Sequence, residues 1–204
     1  MKSWDNRWEK EFQSQQWGKY PPEELVRFIA RNFYKAVKRK DIKILDLGCG
    51  TGAGIWYLAR EGFSTFGIDG SKTAISIARK RIQKENLEAH LRVGDLIRLN
   101  YPDGFFDGIV DIAAIQHNKT RSQRMILNEV FRVLKPNGKI FSMLISKRSR
   151  FSKENLARRV FTHFLGEDEI RNLFSKFKNL TIEISEKTDR GNFISYFIVS
   201  AEKN

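Results

Sequence analysis

The chain has 204 residues, 37 Lys plus Arg against 24 Asp plus Glu, a formal charge of +13 and 41% hydrophobic residues, enough for one substantial core with an N-terminal extension. A single cysteine, Cys49, excludes an intrachain disulfide, no apolar run is long enough to span a bilayer, and the first residues lack the apolar stretch of a signal peptide, so a cytoplasmic location is expected. The positive balance suits an anionic partner such as a nucleic acid, a phosphorylated metabolite or a membrane surface, and equally a charge that serves only solubility.

Residues 4–17 mix three tryptophans with charges and glutamines and predict a short amphipathic helix that closes over the domain. Tyr20-Pro21-Pro22-Glu23-Glu24 predicts a helix start, with proline and two acids in the first turn. Leu25, Phe28, Ile29, Phe33 and Val37 then recur at helical spacing as a core-facing stripe, with Arg27, Arg31, Lys35, Lys38, Arg39 and Lys40 on the other face. Residues 1–40 are therefore expected to form a helical cap and 41–204 the main domain.

The stretch 42–54 organises the rest. Its apolar first half predicts a buried strand, and Gly48, Gly50 and Gly52 at alternate positions predict a tight turn whose backbone can lie against a ligand. A helix over 55–60 would aim its first free N–H groups into that turn. Asp46 beside the glycines argues against a phosphate cradle, because a carboxylate repels phosphate and attracts a cation or a ribose hydroxyl. Cys49 reads as a small residue in a crowded turn, with no histidine near it in sequence.

The pattern Asp46-x-Gly48-x-Gly50-x-Gly52 resembles that of the class I S-adenosylmethionine-dependent methyltransferases. The resemblance covers 42–145 and, more loosely, the remainder to the C-terminus. It implies an α/β fold: a Rossmann-like, seven-stranded, mostly parallel sheet with helices on both faces and an antiparallel C-terminal strand. It also implies S-adenosylmethionine as cofactor, and it is silent on the methyl acceptor. An N-terminal segment often covers the cofactor pocket in that family, which makes Trp17 and Tyr20 candidate pocket walls, with ordinary packing as the alternative.

Residues 63–68 predict a second strand ending at Asp69-Gly70-Ser71, where Asp69 is placed to accept both hydroxyls of a ribose and Ser71 to cap the next helix. Residues 90–93 predict a third strand followed by Gly94-Asp95-Leu96. The resemblance implies that Asp95 accepts from the adenine amine and that the Leu96 N–H meets a ring nitrogen; a turn aspartate capping the next segment is the alternative. Residues 105–115 predict a fourth strand, with Asp107 early in it matching a structural acid of the family. Asp111 lies near its exit, where methyl donor and acceptor would meet.

His117 follows, with an ordinary pKa near neutrality that suits a general base, although a loop histidine is more often a hydrogen-bonding or merely exposed residue. It does not form a metal-ligand spacing with His90 and His163. Residues 121–134 predict an amphipathic helix, Pro136-Asn137-Gly138 a stop, and 139–145 a fifth strand. The basic loop 146–153 leaves a strand's carboxyl end and could hold a phosphate or carboxylate, or simply face solvent; Arg158 and Arg159 extend its charge. A helix opening at Glu167-Asp168-Glu169 and two strands, 180–185 and 193–201, complete the chain.

The expected function is methyl transfer to a small or medium-sized acceptor, an anionic one being compatible with the charge. RNA methylation is the alternative enzyme, and a regulator that binds S-adenosylmethionine without turnover is the non-catalytic one. A dinucleotide-dependent dehydrogenase also fits Gly48-x-Gly50-x-x-Ala53 and Asp69, but is opposed by Asp46, by Gly94-Asp95 and by the terminal hairpin.

Overall fold

Ile44, Leu45 and Leu47 are fully buried, as an inner strand of a sheet covered on both faces requires. The computed structural model describes residues 3–151 and 159–204. Among these, seven strands form one sheet: β1 (Lys43–Leu47), β2 (Ser64–Asp69), β3 (His90–Val93), β4 (Phe106–Ile112), β5 (Leu134–Ile145), β6 (Lys178–Asp189) and β7 (Asn192–Glu202). Their order is β3-β2-β1-β4-β5-β7-β6, with β1 to β5 parallel and β7 inserted antiparallel between β5 and β6. The chain leaves β1 towards β2 and β3, then returns on the other side to β4. That reversal opens a crevice at the carboxyl ends of β1 and β4.

Alternate side chains serve opposite faces. Leu45, Ile109, Ile140 and Leu144 pack under α5 (Thr120–Val133) and α6 (Glu167–Leu173), whereas Ile44, Val110, Phe141 and Met143 pack under α2 (Glu23–Phe33). α3 (Ala53–Arg60) and α4 (Lys72–Lys84) build a third cluster around Ile55 and Ile75, and α1 (Arg7–Ser14) lies against α4. Ser71 caps α4, its hydroxyl accepting from the Ala74 N–H at 3.0 Å.

Several expected boundaries move. α2 stops at Phe33, because Tyr34 turns to stack on Phe63 and share a 2.8 Å hydrogen bond with Tyr57, and Val37 is left 99% exposed. β4 ends at Ile112 instead of 115: Ala113 takes a left-handed φ of 62° and a short 3-10 turn, Ile115–His117, follows. The terminal hairpin is longer than its apolar runs suggested, since its polar ends still pair from Lys187 opposite Ile194 to Asp189 opposite Asn192. Asp107 has the structural role expected of it, accepting the Lys43 N–H at 2.9 Å and pairing with Lys135 at 2.7 Å. No described helix is long and apolar enough to cross a membrane.

Candidate functional site

The glycine turn is pressed between two neighbours. Gly48 has a φ of +70°, and a Cβ there would stand 2.3 Å from the Ala114 Cβ; at Gly52, φ +86°, it would stand 2.9 Å from the Ala78 Cβ. Only glycine meets both demands at once. The N–H groups of Gly48 and Cys49 donate to the Ile68 carbonyl at 2.8 and 3.1 Å, tying the turn to β2. Burial pushes the Cys49 thiol well above its ordinary pKa, in keeping with an inert packing residue.

Three carboxyls surround the turn. Asp46 is 2% exposed, and burial, then the nearby Asp111 and Asp69, push its pKa up to about 8. Asp69 accepts the Gly50 N–H on one oxygen at 2.9 Å and the Ser71 N–H on the other at 2.8 Å, and burial raises its pKa. Asp95 accepts from the Ser3 N–H at 2.7 Å, from the Ser3 hydroxyl, from the Trp4 N–H at 3.3 Å and from the Ile97 N–H at 3.2 Å. Burial opposes its charge, yet those bonds outweigh it and hold the carboxyl below its ordinary value.

A cavity of about 410 Å³ runs along the carboxyl ends of the strands. Asp46, Asp69 and Asp95 line one half, Ile112, Ile145 and Tyr196 the other, and Trp8 and Trp17 reach in from the N-terminal segment. Gly48, Gly50, Gly70, Leu96 and His117 line it as well, so most of the residues singled out in the sequence come together. The Trp4 indole lies flat on Gly70, where a Cβ would stand 2.2 Å from the ring. The Trp17 indole N–H is buried without a hydrogen-bond partner among the described residues.

Three expected site residues lie elsewhere. Gly52 is outside the cavity wall and shapes the turn from behind. Tyr20 is 72% exposed, its ring set edge-on to Trp56 at 5.3 Å on the outer side of α3. Asp111 is fully buried beneath the wall, because its Oδ1 accepts from the N–H groups of Ala114 and Ile115 at 2.8 and 3.1 Å and so forms the turn after β4; burial pushes its pKa up to about 7. Its charge reaches Asp46, but its carboxylate is not part of the cavity lining.

His117 does line the cavity, with Trp8 edge-on at 4.6 Å. Its Nδ1 lies 3.0 Å from the Phe161 carbonyl and 3.2 Å from the Thr162 hydroxyl. Burial pushes its pKa down to about 4 against the pull of the Phe161 carbonyl, so the expected near-neutral value is corrected. Two cations of the basic loop find other work, Lys147 pairing with Glu169 at 2.6 Å and Arg148 with Glu186 at 3.2 Å, and neither they nor Arg150 line the cavity. Ser152 and Lys153 of that loop, and Arg158, lie outside the described residues.

Sequence reasoning missed Gln116, whose Oε1 accepts the Ile145 N–H at 2.6 Å and so fixes the exit of β5. Ser3, Phe151, Ile194 and Tyr196 were also missed, because they reach the cavity from segments far apart in the chain. The tryptophans at 4, 8 and 17 were the one signal that the N-terminus belongs to it. No cluster of metal-ligating side chains occurs among the described residues.

Residues 44–138 match a family model described as a methyltransferase domain. The methyltransferase GfsG of Streptomyces halstedii is 36% identical over 101 residues, covering 48% of this chain and 36% of that protein. Demethylmenaquinone methyltransferase of Lactobacillus johnsonii is 36% identical over 116 residues, covering 54% of this chain and 47% of that protein. The chain thus spans less than half the length of either relative. Among solved structures, a SAM-dependent methyltransferase of Methanosarcina mazei superposes with a TM-score of 0.70 at 25% identity, over 79% of this chain and 92% of that one.

Proposed function

We propose that this chain, which matches a methyltransferase-domain model over residues 44–138, is a class I S-adenosylmethionine-dependent methyltransferase and transfers a methyl group from S-adenosylmethionine to a small-molecule acceptor. The observation that carries the reading is the acidic lining of the cavity: Asp46, Asp69 and Asp95 line it, and among the described residues no Lys or Arg does. A sulfonium and an α-ammonium are attracted to such a site, whereas the pyrophosphate of a dinucleotide is repelled.

The side chains present suit the cofactor. Gly48 and Gly50 leave backbone open beside Asp46, and each oxygen of Asp69 keeps a lone pair for a ribose hydroxyl after its one backbone bond. Asp95 would take the adenine amine with Leu96 as wall, and the unpartnered indole N–H of Trp17 would donate to the methionine carboxylate. Bound there, S-adenosylmethionine would supply an electrophilic methyl carbon, to which an acceptor lone pair bonds as the carbon–sulfur bond breaks and its electron pair passes to sulfur, giving S-adenosylhomocysteine. The protein's part is to orient the acceptor and exclude water, which Trp8 and Trp17 do from above. His117, held neutral, keeps its Nδ1–H on the Phe161 carbonyl and its Nε2 3.4 Å from the Gln116 side-chain amide, so it is a polar wall residue rather than a strong base. In this reading residues 1–40 are the cap of the site and 41–204 its body. Within the cap the lining comes from 3–18, while the fully buried Leu25 and Ile29 of α2 are shared with the core.

Thermal unfolding with S-adenosylhomocysteine and, separately, with NAD tests the proposal, since a ligand bound by the native state alone raises the melting temperature. S-adenosylhomocysteine is expected to give the larger shift, and Asp69→Ala to abolish most of it. A larger shift with NAD would refute the reading.

A further inference from the structure

We infer that the half of the cavity at the ends of β4, β5 and β7 is built for an uncharged, largely apolar acceptor. The inference rests on the methyltransferase reading, which gives the acidic half to the cofactor.

The walls of this half are Ile112 at the end of β4, Ile145 at the end of β5, and Ile194 and Tyr196 on β7, with Trp8 above. The antiparallel insertion of β7 is what brings them together, because Tyr196 pairs directly with Ile145. The polar groups that reach the same space from the turn after β4, Gln116, His117 and Asn118, carry amide or neutral imidazole functions. Of the cations nearby, Lys147 pairs with Glu169 at 2.6 Å, Arg148 with Glu186 at 3.2 Å and Arg159 with Glu11 at 3.1 Å, while Arg150, exposed and without an ion pair among the described residues, stands outside the lining.

An anionic group placed here would leave water and gain no counter-charge from the described wall, with the acids Asp46 and Asp111 close by. Burying an unpaired ion costs far more than neutral contacts return. A cationic acceptor fares no better, since it would stand beside the sulfonium of the cofactor, and its reacting atom needs a free lone pair. An apolar body gains about 25 cal/mol for each Å² removed from water against these isoleucines and rings. The overall charge of +13 therefore does not describe this cavity.

Three probes sharing one ring system test the inference on the full chain saturated with S-adenosylhomocysteine: 1-naphthol, 1-naphthyl phosphate and 1-naphthylmethylamine, each titrated by calorimetry near neutral pH. 1-Naphthol is expected to bind at least about tenfold more tightly than either charged probe. Ile194→Arg should reverse the order of 1-naphthol and 1-naphthyl phosphate while the affinity for S-adenosylhomocysteine holds. Phe151→Ala, a truncation of a loop ring in the lining, should weaken 1-naphthol several-fold and does not depend on the sheet tolerating a new charge. Equal or tighter binding of a charged probe, binding of none of the three, or an unchanged order in Ile194→Arg would overturn the inference. Wild-type protein that fails to bind S-adenosylhomocysteine at all would instead remove the methyltransferase reading, and this inference with it.

Discussion

Ser3 donates its backbone N–H to Asp95 Oδ2 at 2.7 Å and its hydroxyl to Oδ1 of the same carboxylate. The residue proposed for the adenine amine is thus engaged by the protein's own N-terminal segment, and the Trp4 indole beside it covers Gly70. Cofactor binding is expected to displace both. A hydrogen bond to a charged group contributes about 1.5–3 kcal/mol when buried, and less at this partly exposed carboxylate. Ser3→Pro combined with Trp4→Ala should therefore tighten S-adenosylhomocysteine binding by roughly three- to tenfold, or about 0.7–1.4 kcal/mol, in a calorimetric titration. Weaker binding would mean that the indole forms a wall of the occupied site instead of filling it.

Gly48→Ala should damage fold and site together. Its φ of +70° costs a side chain about 1–2 kcal/mol, and the Cβ placed 2.3 Å from Ala114 adds an overpacking penalty of about 1–3 kcal/mol. Together these should lower the melting temperature by roughly 4–20 °C and remove stabilisation by S-adenosylhomocysteine. Gly62→Ala is the control: its φ is +83°, but its surroundings are open, so only the conformational cost applies and a smaller loss of about 2–8 °C is expected. Equal losses in the two variants would show that Ala114 does not constrain the turn.

What could be read from sequence was what neighbouring residues decide. The apolar run before the glycines, Asp69 at the end of the next strand and Ser71 as helix cap each follow from spacing within a few residues, and the structure places them accordingly. Asp111 was legible as an acid at a strand exit, but its inward turn depends on Ala113 adopting a positive φ so that Ala114 can meet Gly48. Tyr20 leaves the cavity because Trp56 on α3 offers it a ring, a contact no local pattern encodes. The two readings left open for the basic loop after β5 turn on the same kind of contact, since the carboxylates that take Lys147 and Arg148 belong to α6 and β6.

Asp46 should release a proton when a cation enters. Burial, then the charges of Asp111 and Asp69, raise its pKa to about 8, so near neutral pH it is largely protonated without ligand. The folded value lies above the ordinary 3.8, so the folded state binds more protons than the unfolded chain between these limits, and stability from this group is lost as pH rises through about 8. Asp46→Asn should accordingly raise the melting temperature of the free protein most on the alkaline side, with a difference that shrinks towards acid. A bound sulfonium and ammonium favour the carboxylate, so titrating S-adenosylmethionine in buffers of different ionisation enthalpy should reveal net proton release. Enthalpies independent of buffer would refute it.

His117 should remain neutral across the range in which a histidine base normally titrates. Its pKa of about 4 lies below the ordinary 6.5 because burial penalises the imidazolium, and the Phe161 carbonyl at 3.0 Å from Nδ1 only partly compensates. Here the unfolded chain binds the extra proton between those values, so the group opposes folding increasingly as pH falls from about 6.5 to about 4. His117→Asn should therefore blunt the acid-side fall in melting temperature, and the ring protons of His117 should show no titration in NMR spectra between about pH 5 and 8. The same value limits its catalytic weight. Once an acceptor is in hand, His117→Asn should lower kcat by about tenfold or less, as expected for a group that orients the acceptor, and the pH profile of the parent should lack an inflection near 6.5. An NMR midpoint near neutrality, together with a rate inflection that the variant abolishes, would return His117 to the role of general base.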